Sequence, residues 1–224
     1  MRVDFLENIS LGYENKFCRV EYPLYFFQIS DFSSLQKRMI NKIDEIEKIV
    51  ETYDDVTLGD GNTKVIGATQ SHNLLNFLDY EEFSDLSREL NIAAHLYQKD
   101  IWGIQTPLFY KAWGNKLPTD GHLSMHSHMS DFAFGDQCIF SLHLTVRSSP
   151  KNRTVYKPIS NSFNMDIKES GSFQSENIEG QITIFPSNLS HYTTPNVDKD
   201  YRYSFAMDIT SNTPPMACEF RRWE

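Results

Sequence analysis

Residues 180–210 read GQITIFPSNLSHYTTPNVDKDYRYSFAMDIT, and this stretch decides the fold. Gly180 to Pro186 has the β-branched and aromatic content of a short strand that stops at a proline. Asn188-Leu-Ser-His191 opens a second strand, Pro195-Asn196 supplies turn chemistry, and Tyr201 to Ile209 returns as a third. Side chains on a strand alternate faces. Tyr203, Phe205, Met207 and Ile209 therefore share one face, and Arg202 and Ser204 share the other. The first face suits a buried sheet layer, and the second turns polar groups into a pocket. With a turn centred near residues 196–197, His191 and Arg202 become neighbours across a hairpin.

Working outward, segments 106–113, 120–128, 137–147, 181–186, 189–194 and 201–209 read as short strands. Gly114-Asn115, Pro118, Gly135-Asp136, Gly180 and Pro186-Ser187 separate several of them as turn residues. The front of the chain is different. Residues 21–30 form an aromatic early strand, and a helix follows, with Asp31, Ser33 or Ser34 as its cap. Leu35, Met39, Ile43, Ile46 and Val50 recur along it at helical spacing. A second helix runs from Phe83 to Trp102, with Leu86, Leu90, Ala93, Ala94 and Tyr97 as its apolar face.

The expected architecture is a single domain over residues 1–224, α+β in class but mainly β. A jelly roll (double-stranded β-helix, cupin-like) occupies 106–210, and the helices within 1–105 are N-terminal support packed on one sheet. Residues 148–179, rich in Ser, Asn and Lys, read as too polar for a core: a surface insertion or a lid over a site.

Bulk properties exclude several classes. The net charge of −9 disfavours nonspecific nucleic-acid binding, which relies on cations neutralising phosphates. Mean hydropathy is −0.47, and no apolar run approaches the roughly 20 residues of a membrane span. Asp4 and Glu7 sit where a signal peptide needs apolar residues. The expectation is a soluble, cytoplasmic protein with no nucleic-acid or membrane partner. Cys18, Cys138 and Cys218 have neither CxxC nor zinc-ribbon spacing, and read as reduced, packed thiols.

The chemistry begins at residues 121–131, GHLSMHSHMSD. On a regular strand His122, Ser124, His126 and His128 share one face. In a chain with seven histidines, two of them at this spacing is weak evidence of a metal site. It gains weight from His191, a third imidazole that can converge on the same ion. Three protein ligands leave open positions for oxygen and a co-substrate. Arg202 can hold a carboxylate through two parallel charge-assisted hydrogen bonds, with the Ser204 hydroxyl adding a third.

Together these residues resemble the Fe(II)/2-oxoglutarate-dependent dioxygenases, in particular the subgroup with HxH where most members carry HxD. The matching residues are Trp113, Asn115 and Gly121 ahead of His126-Ser-His128, then the strand Ile139-Phe-Ser-Leu-His-Leu-Thr-Val146. Next come Gly180-x-Ile-x-Ile-Phe-Pro-Ser187, His191 and Pro195, and finally Arg202-x-Ser204, eleven residues after His191. The resemblance covers residues 106–210 and implies a double-stranded β-helix with Fe(II) at its mouth. It assigns His126 and His191 to the metal, and Arg202 and Ser204, with Tyr110 nearby, to 2-oxoglutarate. It implies O2 as oxidant and hydroxylation of an unactivated C–H bond in a small molecule or an amino-acid or peptide side chain, releasing succinate and CO2. The family's usual carboxylate ligand is replaced here by His128. Either His128 completes a three-histidine site, or Asp131 reaches back, or the site is altered. Trp113, His122, Asp131 and His143 are candidate substrate contacts. Two other classes compete: a cupin-type three-histidine metal dioxygenase with no need of Arg202, and a non-catalytic jelly-roll binding protein.

Overall fold

The alternation along residues 202–210 builds the centre of a sheet. In a computed structural model, which describes residues 2–11, 14–50, 76–103, 105–128, 139–157, 172–211 and 221–223, the chain forms eleven strands and two long helices among those residues. In chain order these are β1 (Arg2–Leu11), β2 (Glu14–Pro23), β3 (Tyr25–Gln28), α1 (Phe32–Val50), α2 (Ser84–Trp102), β4 (Phe109–Leu117) and β5 (Phe140–Arg147). Then follow β6 (Thr154–Lys157), β7 (Phe173–Ser175), β8 (Gln181–Pro186), β9 (Ser190–Thr193), β10 (Arg202–Thr210) and β11 (Arg221–Arg222).

The larger sheet has six strands in the order β11-β4-β10-β5-β8-β3, all neighbours antiparallel. The smaller one has the order β7-β6-β9. The larger sheet carries two kinds of surface. Phe140, Leu142, Leu144 and Val146 of β5, Ile182 and Ile184 of β8, and Tyr203, Phe205, Met207 and Ile209 of β10 join one core with the apolar stripes of α1 and α2. The stripe residues are Leu35, Met39, Ile43 and Ile46 on α1, and Leu86, Leu90, Ala93, Ala94 and Tyr97 on α2. Each fully buried side chain of this size contributes about 1.5–3 kcal/mol, which holds the helices on the sheet. α2 stops at Gly103, whose φ of 68° lets its N–H reach the Lys99 carbonyl. On the opposite surface, Phe185 of β8 meets Tyr156 of β6, Leu24 and Leu189 in a second, smaller core. That surface faces the three-stranded sheet, so the two sheets form a jelly roll.

Several sequence expectations change. β9 and β10 do not make a hairpin. β9 pairs with β6, β10 pairs with β4 and β5, and the 194–201 connection crosses between sheets. His191 and Arg202 thus come from opposite walls. Residues 120–128 contribute only an isolated bridge at His126. The ends of the polar 148–179 segment are strands β6 and β7, with Thr154, Val155, Tyr156 and Ser175 buried, because both strands close the smaller sheet. Residues 158–171 of that segment, like Asp131, Cys138, Cys218 and the Gly135-Asp136 turn, lie outside the described residues. Ahead of the helices, β1 and β2 pair from Arg2↔Pro23 to Leu11↔Glu14, where only residues 21–30 were read as strand. No helix among the described residues is long and apolar enough to cross a membrane.

Gly114-Asn115, read as a turn, lies inside β4. The glycine answers a packing need instead: a Cβ there would sit 2.5 Å from Ile43 Cγ1 and 3.0 Å from its Cδ1. Ile43 is fully buried in α1, so α1 cannot give way cheaply. Gly114→Ala is expected to lower stability by about 1–3 kcal/mol, read as a lower urea midpoint at unchanged m-value. An unchanged midpoint would show that α1 is not pressed on β4.

Candidate metal centre

One strand, β9, and the irregular segment 121–128 bring the histidines together. His191 sits on β9, opposite Tyr156 of β6. His126 joins it through a pair of backbone bonds, His126 N–H to His191 O at 3.0 Å and His191 N–H to His126 O at 2.9 Å. His128 N–H donates to Ser187 O at 3.0 Å, so the backbone of both neighbours is fixed. One ring nitrogen of each histidine lies within 4.8 Å of the others.

The ring hydrogen bonds decide which nitrogens face inward. His126 Nδ1 is 2.7 Å from Ser124 O, His191 Nδ1 is 3.1 Å from Leu189 O, and His128 Nδ1 is 2.5 Å from Asp208 Oδ1. All three partners are pure acceptors, so each Nδ1 carries a proton, and in the neutral ring the Nε2 presents a lone pair. His128 Nε2 and His191 Nε2 lie 3.3 Å apart. In the neutral rings two lone pairs at that distance repel, and a proton or a metal ion between them relieves the repulsion. Adjacent ligands on one metal at about 2.1 Å are themselves spaced by about 3 Å, so the donor set fits a metal ion. Desolvation, and next the charge of His128, holds His126 below the ordinary histidine range. Desolvation followed by the charges of His128 and His126 holds His191 well below it. Both rings are therefore neutral at pH 7, the form that binds metal.

Arg202 supplies the second feature. It is 3% exposed, and its Nη2 donates to Thr154 Oγ1 of the opposite sheet at 3.2 Å. Among the described residues its Nε and Nη1 have no partner and no acid pairs with it. Burial pushes its pKa down to about 10. A buried guanidinium with idle donors is a costly arrangement that an anion relieves. Its anchor, Thr154, stands two residues before Tyr156, the partner of His191. Two residues of strand span roughly 7 Å, a separation that a short diacid can bridge.

The remaining candidates divide by face. Ser204 shares the inner row with Arg202, and its Oγ accepts from Asn115 Nδ2 at 3.5 Å. His143 also faces inward, with its Nδ1 hydrogen-bonded to the Tyr156 hydroxyl at 3.0 Å. Trp113 is buried and lies against the His128 ring, centroids 5.9 Å apart and 24° from parallel. His122 stays partly exposed near the Asp120 carbonyl, outside the triad. Tyr110 is a correction: alternation along β4 sends it to the helix-covered core, where it packs on Trp223 with ring centroids 4.7 Å apart. It cannot line the inner surface from there.

Sequence reasoning missed Asp208, Thr154 and Tyr156. Asp208 continues the row Arg202-Ser204-Ala206, so period-two reading reaches it once Ala206 is stepped over. Thr154 and Tyr156 were hidden in a segment whose overall polarity outweighed a short strand.

No protein-family model matches the chain, and no curated protein matches it. Solved structures do share its fold. The non-heme alpha ketoglutarate dependent carbocyclase SnoK from nogalamycin biosynthesis overlays with a TM-score of 0.60 at 9% identity, covering 90% of this chain and 92% of its own. HygX from Streptomyces hygroscopicus, solved with nickel, 2-oxoglutarate and hygromycin B bound, gives 0.56 at 12% identity, covering 89% and 86%. A Pseudomonas putida prolyl-4-hydroxylase gives 0.54 at 11% identity, covering 84% and 93%. At these identities the likeness is one of fold.

Proposed function

We propose that this chain is an Fe(II)- and 2-oxoglutarate-dependent oxygenase that oxidises a C–H bond of a small molecule or an amino-acid or peptide side chain, releasing succinate and CO2. The observation that carries this reading is Arg202: a buried cation with two donors idle among the described residues, anchored on Thr154, which stands two strand residues from the partner of His191 on the wall that carries the converging imidazoles. The cupin-type alternative explains the imidazoles and leaves the guanidinium without a purpose. That SnoK is named alpha ketoglutarate dependent and HygX binds nickel and 2-oxoglutarate agrees with the reading.

In this reading His126, His128 and His191 hold the metal through Nε2. Bound Fe(II) supplies the activation of O2 and the oxidative decarboxylation of the keto acid. Arg202 takes the far carboxylate as a bidentate fork, with Thr154 fixing the guanidinium plane and Ser204 on the same row. Phe185 and Trp113, both buried, exclude water from the metal side. His128 is favoured over Asp131 as third ligand because its Nε2 already stands 3.3 Å from that of His191.

The test combines metal titration with turnover. One Fe(II) or Co(II) per chain is expected, together with succinate formation from 2-oxoglutarate under O2 across a panel of substrates. His126→Ala, His128→Ala and His191→Ala are each expected to weaken metal binding by at least about 100-fold and to abolish succinate. Metal-loaded protein that makes no succinate over a broad panel would overturn the reading. Full iron stoichiometry in His128→Ala, with loss in Asp131→Ala, would reassign the third ligand.

A further inference from the structure

We infer that Asp208 is a positioning residue for the metal centre, holding His128 in the one tautomer and orientation that turns its Nε2 toward the other two imidazoles. This inference rests on the metal-centre reading above and adds a residue to it. The geometry is a closed circuit. Asp208 Oδ1 accepts from His128 Nδ1 at 2.5 Å and from Ser141 Oγ at 3.0 Å. Ser141 Oγ lies 3.4 Å from Ser187 Oγ, and the Ser187 carbonyl accepts the His128 backbone N–H at 3.0 Å. Both the ring and the backbone of His128 are thus tied to one small group of residues. Asp208 and Ser141 are directly opposed on β10 and β5, so the rigid centre of the larger sheet carries that group. His126 and His191 donate to backbone carbonyls instead. His128 lies beyond the bridge at His126, outside any strand, and it is the one given a carboxylate.

The arrangement bears on the missing carboxylate ligand. An acid is kept behind His128, so that it would act on a bound metal through the imidazole. A carboxylate behind a ligating imidazole fixes its tautomer and raises its basicity.

Two measurements on the full chain test this. In metal-free, 15N-histidine-labelled protein, long-range 1H–15N correlation is expected to show His128 wholly in the Nδ1–H form. Asp208→Ala removes the acceptor and should bring in the Nε2–H form. Asp208→Asn keeps an uncharged acceptor and should fall between. Titration with Co(II) alone should follow the same order, with affinity falling about 10- to 100-fold from wild type to Asp208→Ala. Asp208→Glu, which restores the acid, is expected to recover part of both signals. If Asp208→Ala fails to fold, Ser141→Ala carries the test with a smaller shift in the same direction. Wild-type tautomer and Co(II) affinity in Asp208→Ala would overturn the inference. So would lost affinity with an unchanged tautomer, which would mark Asp208 as mere packing. Because the tautomer is read without metal, a wild-type protein that binds no Co(II) defeats the functional reading by a different result.

Discussion

Replacing Arg202 with leucine is expected to stabilise the ligand-free protein and to weaken 2-oxoglutarate binding about 100- to 1000-fold. The two effects have one cause. Burial pushes the Arg202 pKa well down, to about 10, and no acid pairs with it among the described residues. That lowering corresponds to a penalty on the order of 3 kcal/mol for the charged form in the folded state. The sign follows from linkage: the folded state binds this proton less tightly, so the penalty is constant below pH 10 and is relieved only above it. pH therefore does not reveal it in the neutral range, and substitution does. Leucine fills the volume without the charge, and a gain of about 1–3 kcal/mol is in keeping with apolar replacement of buried ions. That is a melting temperature higher by a few degrees for a chain of this size. The same change removes the fork proposed for the far carboxylate, an expected loss of about 3–4 kcal/mol. Arg202→Lys keeps the charge without the planar fork and should bind with intermediate affinity. Thermal unfolding with and without 2-oxoglutarate reads all of this. Wild type should gain stability from the ligand, and Arg202→Leu should start higher and gain nothing. A leucine variant that melts lower and still responds to 2-oxoglutarate would remove Arg202 from the site.

This trade also explains which parts of the site were legible in the sequence. Alternation along β10 assigns Arg202 and Ser204 to one face and four apolar residues to the other, and the structure keeps that division. Strand periodicity is local, so it survives whatever the strand pairs with. Pairing is not local. His191 and Arg202 are eleven residues apart with a turn between them, which favours a hairpin, yet β9 and β10 belong to different sheets. The outcome for the site is better than the hairpin: residues from two walls can surround a ligand, whereas neighbours on one sheet only flank it. The glycine at 114 misled for a related reason. Gly marks a turn or a close approach, and only the position of Ile43 on a remote helix tells which. Tyr110 failed by one step of alternation, since Trp113 and Asn115 of the same strand face inward and Tyr110 does not. Asp208 was within reach of the method, but its partner His128 sits 80 residues earlier, and no local pattern joins them.

Acidification below about pH 6 is expected to cost this protein several kcal/mol of stability, through histidines that the fold keeps neutral. Desolvation, followed by the charges of Arg202 and His128, pushes His143 down to about 3. His191 is held well below its ordinary 6.5 and His126 is lowered as well, both chiefly by desolvation. In the unfolded chain these rings titrate near 6.5. Between that value and their folded values the unfolded state binds more protons, so stability falls as pH falls. Each such histidine contributes a slope of up to about 1.4 kcal/mol per pH unit. Because His126 and His143 are only half-buried, roughly 2–3 kcal/mol per unit is expected from the three together rather than the full sum. Urea midpoints at pH 7, 6 and 5 measure it. His143→Gln isolates one proton from the group without touching the three imidazoles that converge. It loses the ring hydrogen-bonded to the Tyr156 hydroxyl, so it should be less stable at pH 7, yet its slope against pH should be shallower by about one proton. Equal slopes for wild type and His143→Gln would show that solvent reaches His143 freely. A shallower slope would show that the inner wall of the barrel is dry enough to keep an imidazole neutral. The same dryness is what makes the idle donors of Arg202, a few residues away on the neighbouring strand, demand an anion.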